Sequence, residues 1–120
     1  MSAMPALLAT ALPIAAVFLA LGSAKVLALA PMRARAAHLG LSTSSYRIIG
    51  TLEIAGAVGV LLGLAAPTLG AFAAVGLLLL LAGAVLAHLR NGDHPRLVTP
   101  ALVSGLFVAA YLAVLIGARP

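Results

Sequence analysis

The chain of 120 residues has no cysteine and no tryptophan, and its only acidic residues are Glu53 and Asp93. Without cysteine, disulfides, thiol catalysis, Cys-ligated clusters and a dithiol redox pair are excluded within it. Charge of either sign is scarce: 8% of residues are Asp, Glu, Lys or Arg, where an ordinary soluble domain carries about a quarter. What fills the chain instead is apolar, 64% of residues with a mean hydropathy of +1.25, the composition of an integral membrane protein. Its length accommodates four spans of about 20 residues and short connections, so one transmembrane domain over 1–120 is expected. The formal charge of +5 comes from seven basic residues, most of them in short loops, where orientation and contact with membrane lipid account for them. No nucleic-acid partner is expected.

Span 1 is expected over about 6–30, with Pro5 near its start, Pro13 inside it and Pro31 ending it. Ala28-Leu29-Ala30 imitates a signal-peptide cleavage site, but the segment before it has no basic n-region and exceeds an h-region of roughly 7 to 15 residues, so a retained span is expected. Met32–Leu39 reads as a short interfacial helix capped by Gly40, and Ser42-Thr43-Ser44-Ser45 offers hydroxyl N-caps for span 2, about 46–65. Ala66-Pro67-Thr68 forces a hairpin into span 3, about 69–89. Asn91-Gly92-Asp93 is a turn signal, and Thr99-Pro100 reads as the start of span 4, about 100–117. The expected fold is all-α: an antiparallel four-helix membrane bundle with an interfacial helix between spans 1 and 2.

Arg33, Arg35 and Arg47 flank loop 1, Arg90 and Arg96 flank loop 3, and loop 2 has no basic residue. The positive-inside rule then places loops 1 and 3 in the cytoplasm and both termini outside, with Arg119 as a dissenting charge. Small residues recur at every fourth position: Ala16, Ala20, Ala24 and Ala28 in span 1; Thr51, Ala55, Gly59 and Gly63 in span 2; Ala101, Gly105, Ala109, Ala113 and Gly117 in span 4. In lipid, close backbone approach along such faces supplies packing. Gly59, Gly63, Gly105 and Gly117 are therefore the expected helix-packing positions, within one bundle first and between copies in a homo-oligomer second.

Three ionisable residues lie at membrane depth, where a charge costs roughly 2.5 to 3.5 kcal/mol on insertion scales. Counting helical rise, Lys25 sits roughly 8 to 9 Å inside the Pro31 end, Glu53 roughly 10 Å inside the Tyr46 end, and His88 within about one turn of Arg90. All three fall in one layer, so Lys25, Glu53 and His88 are the candidate ligand site or buried polar cluster. Each has a plainer reading: Lys25 can snorkel, His88 can bond an interfacial carbonyl, and Glu53 can serve in a structural ion pair. Glu53 is ionised if Lys25 is beside it and protonated if it is alone. His88, Asp93 and His94 lack a recurrent ligand spacing, so no metal site is expected.

Gly22-Ser23-Ala24-Lys25, Leu39-Gly40-Leu41, Gly50-Thr51-Leu52-Glu53 followed by Gly56 and Gly59, and His88-Leu89-Arg90-Asn91-Gly92-Asp93 resemble, in order and separation, the DoxX-like family of small four-helix membrane proteins. The resemblance covers nearly the whole chain. It implies a bacterial inner (plasma) membrane location and a role beside quinone-linked sulfur oxidation or oxidative-stress membrane complexes, with other membrane redox proteins as partners. Quinone is the cofactor it brings into view, and the family gives Lys25, Glu53, His88 and Asp93 no agreed catalytic role. Three readings follow: an accessory redox subunit with a polar intramembrane pocket, a structural or assembly module for membrane proteins, and a small proton-coupled transporter. The last fits worst, because Glu53 lies in span 2, tryptophan is absent and the loop charges are strongly biased.

Overall fold

Among the described residues, 2–117 of the computed structural model, the chain forms five helices and no strand: α1 (Met4–Val26), α2 (Ala30–His38), α3 (Thr43–Leu62), α4 (Pro67–Arg90) and α5 (Pro95–Gly117). All but α2 are long and apolar enough to cross a membrane. Arg119 lies outside the described residues.

Local chemistry explains where each helix stops. α1 ends earlier than the expected Ala30, because Ala28 turns into the left-handed region at φ 51° and the Leu29 N–H closes back on the Ala24 carbonyl at 3.1 Å. A guanidinium nitrogen of Arg33 donates to the Ala28 carbonyl at 2.8 Å and holds that turn. α2 ends the same way at Gly40, φ +72°, with the Leu41 N–H bonded to Ala36. The Ser42 hydroxyl accepts from the Ser45 N–H at 3.0 Å and caps α3. α5 begins at Pro95, not at Pro100. The fixed φ of Pro95 suits a first helical turn, and the Thr99 hydroxyl, expected as a cap, donates instead to the Pro95 carbonyl.

The long helices form a ring in which α1 packs on α3 and α5, and α4 packs on the same two helices from the other side. α2 lies across α3 and touches α1. The core fills the loop-2 half: Leu7, Ala11, Ile14 and Phe18 of α1, Ala57 and Val60 of α3, Ala74 and Leu77 of α4, and Val108, Tyr111 and Leu115 of α5.

α3 and α5 stand on a diagonal bridged by Tyr111, whose buried hydroxyl donates to the Val60 carbonyl at 2.7 Å. Val60 is one of the last four residues of α3, whose carbonyls need partners beyond the regular helix. Gly63, Leu64 and Ala66 supply N–H donors to Gly59, Leu61 and Leu62, and Tyr111 supplies the fourth. Gly63 and Gly70 make room for the phenol ring: a Cβ at Gly63 would lie 2.6 Å from the Gly70 Cα and overlap the Tyr111 hydroxyl.

The small-residue ridges divide into used and unused. Gly59 and Gly63 face α4, and a Cβ at Gly59 would lie 2.6 Å from that of Ala73. Within the described bundle Gly105 and Gly117 make no such close approach. A Cβ at Gly105 would meet only Leu81, at 3.9 Å, and one at Gly117 nothing within 4 Å. α5 turns Val98, Val108, Tyr111 and Leu115 inward, leaving Ala109, Ala113 and Gly117 on its outer face. In α1, Ala16 and Ala20 are likewise exposed, while Ala11, Ala15 and Gly22 are buried.

Candidate functional site

The polar site begins with two glycines. Gly22 of α1 and Gly50 of α3 meet backbone to backbone: a Cβ at Gly22 would lie 2.7 Å from the Gly50 carbonyl oxygen, and one at Gly50 would lie 2.6 Å from Lys25 Cβ. Each glycine precedes a charged residue by three positions, so it shares a helix face with that residue. Their contact therefore brings Lys25 and Glu53 together. The Lys25 ammonium donates to Glu53 Oε1 and lies 4.9 Å from the centre of the Tyr46 ring, a cation–π distance. With side-chain exposures of 12% and 5%, neither partner reaches into solvent. Lys25 does not snorkel.

His88 arrives by a different device. At the end of α4, Gly92 takes φ +69° and the Asp93 N–H bonds back to the His88 carbonyl at 3.0 Å. This left-handed capping turn ties together residues five apart. It folds Asp93 over His88, and their side chains meet, Nδ1 to Oδ2, at 2.6 Å. The other carboxylate oxygen contacts His38 Nε2 of α2 at 2.9 Å and accepts from Asn91 Nδ2 at 2.8 Å. Asp93 thus joins α2 to the α4–α5 turn. Its carboxyl is held below the usual carboxylate range, chiefly by the hydrogen bond from His88, which outweighs the opposing effect of burial, with further lowering by the hydrogen bonds from Asn91 and His38. His88 Nε2 has no described partner.

Lys25, Glu53 and His88 line one cavity of about 620 Å³ in the loop-1 and loop-3 half of the bundle. Its apolar walls include Phe18, Leu21, Ile49, Leu80, Leu81 and Ala84, and Arg35, His38 and Arg96 also face it. The expected trio therefore shares a cavity without forming a mutual network: Lys25 bonds Glu53, and His88 bonds Asp93. The pair can offer an ammonium donor beside a carboxylate, and His88 an oriented ring nitrogen.

The family model described as the DoxX-like family matches residues 9–114. The chain belongs to the DoxX-like family. No curated protein and no solved structure matches it. In this DoxX-like chain the Gly-x-x-Lys and Gly-x-x-Glu elements form one helix crossing, and the His-x-x-x-x-Asp element is one helix cap. The sequence alone marks His38 only as part of the short interfacial helix and gives Tyr46 and Tyr111 no role. Their signals were faint: His38 bonds a residue far along the chain, and a tyrosine in an apolar helix does not announce its partner.

Proposed function

We propose that this DoxX-like protein is an accessory subunit of a membrane redox system whose cavity receives the head group of a quinone. The observation that carries the reading is that the Lys25–Glu53 pair and His88 line one otherwise largely apolar cavity. Its volume falls within the roughly 300 to 1,000 Å³ common for small-molecule sites. The Lys25 ammonium facing such a space can donate to a quinone carbonyl, His88 Nε2, with the Nδ1 proton committed to Asp93, can accept from a quinol hydroxyl, and Glu53 can orient the donor or pass on a proton. On this reading loops 1 and 3 face the cytoplasm of a bacterial inner membrane, and the redox partners are other membrane proteins. Association of copies remains open to the outer small-residue face of α5.

The test is saturable binding of a short-tailed ubiquinone analogue to the purified protein in nanodiscs, compared with Glu53→Gln and His88→Gln. Binding by the native chain that weakens in both folded variants supports the proposal. Absence of binding, or equal binding by all three, rejects it. The closeness of the Lys25–Glu53 pair favours a second reading, a structural or assembly module in which the two charges serve only each other. A folded protein that binds no quinone and whose loss lowers only the abundance of neighbouring membrane proteins would favour it.

A further inference from the structure

We infer that the loop-1 and loop-3 end of the cavity is a site for the phosphate head group of an anionic bilayer lipid, held by Arg35 and Arg96. Arg35 projects from α2 and Arg96 from the first turn of α5, yet both line the same cavity. Neither guanidinium has a described ion pair or hydrogen bond. The two acidic side chains of the chain are already engaged: Glu53 on Lys25, and Asp93 on His88, His38 and Asn91. A concave site with two uncompensated guanidiniums calls for an acid from outside, and the planar fork of arginine matches a phosphate.

A second observation supplies the tail. A smaller cavity of about 130 Å³ lies between α1 and α5, against Pro13, Val17, Val103 and Phe107. It shares two wall residues, Phe18 and Ser104, with the larger one. The arginine end is thus continued by an apolar path along the α1–α5 seam. Free phosphate could use the arginines only; an acyl-bearing phosphate uses both. This site goes beyond the quinone reading and rests on different side chains, so the two can fail separately.

Native mass spectrometry of protein released from detergent containing phosphatidylglycerol tests the inference. The chains compared are the native one, an Arg35→Gln/Arg96→Gln double variant and an Arg47→Gln/Arg90→Gln double variant. Arg47 and Arg90 are basic and exposed but do not line the cavity. Both variants lose the same charge, and all four positions are exposed, so no buried group is stranded. The native chain and the Arg47/Arg90 variant are expected to retain one lipid, with its affinity lowered about tenfold or more in the Arg35/Arg96 variant, as loss of charged hydrogen bonds implies. Equal loss in both variants would reduce the effect to general surface charge and overturn the site. Displacement of the lipid by an equal concentration of inorganic phosphate would overturn the assignment to an acyl-bearing ligand.

Discussion

Gly22 and Gly50 lie so close that neither can carry a Cβ without moving the other helix, since each hypothetical Cβ falls 2.7 Å from a backbone oxygen of its partner. Backbone does not yield as the end of a side chain does. Gly22→Ala and Gly50→Ala are each expected to lower stability by about 1 to 3 kcal/mol. Gly76→Ala, where a Cβ meets nothing within 4 Å, should be neutral or slightly stabilising. Thermal unfolding of the three variants in one detergent checks this.

The Lys25–Glu53 pair makes a sharper claim on energetics. Removing one member strands a charge in an apolar layer, so Lys25→Met or Glu53→Gln alone is expected to cost about 3 kcal/mol or more. The double variant should cost less than the sum of the single changes, because nothing unpaired remains. A double-mutant cycle on unfolding free energy reads the coupling, expected at about 0.5 to 3 kcal/mol.

Asp93 fastens α2 to the α4–α5 turn, and its lowered pKa sets the pH at which that fastening fails. A carboxylate whose folded pKa lies below its ordinary value of 3.8 contributes stability that is fully present above that value and lost as pH falls through the folded pKa. With no native cysteine to interfere, spin labels at Ala37→Cys and Arg90→Cys can follow the distance between the two elements. That distance is expected to hold from neutral pH to about pH 4 and to widen below it. In Asp93→Asn it should be wider already at neutral pH.

At the opposite end, Tyr111→Phe removes the donor to the Val60 carbonyl and leaves a buried helix terminus short of one partner. The expected loss is about 1 kcal/mol, in line with hydrogen bonds in membrane bundles. Gly63→Ala should cost more, since its methyl group would overlap the Tyr111 hydroxyl and press on Gly70. Unfolding of Gly63→Ala in the Tyr111→Phe background should show part of that loss recovered.

Depth along a helix is readable from residue counts, which is why Lys25, Glu53 and His88 could be assigned to one layer from the sequence alone. Rotation about the helix axis is not. In a soluble helix a polar face marks the outside, but both faces of these spans are apolar, so the period of 3.6 carries little contrast. Gly105 and Gly117 therefore looked equivalent to Gly59 and Gly63 although α5 turns them away from close contact. The bond from His38 to Asp93 was hidden for another reason. Nothing in the MRARAAHL segment names a partner in a turn that follows two further spans.

Because the ring is built from neighbours in chain order, with α1–α5 as the sole closing contact, the order of membrane insertion has an electrostatic logic. Glu53 enters the bilayer on the second long helix, when the first already presents Lys25. The match needs only the α1–α3 pairing and no residue of α4 or α5. A chain started after Val26 would deliver the same carboxylate into lipid with no cation in place, and its α3 should be retained at the membrane surface or cleared by quality-control proteases.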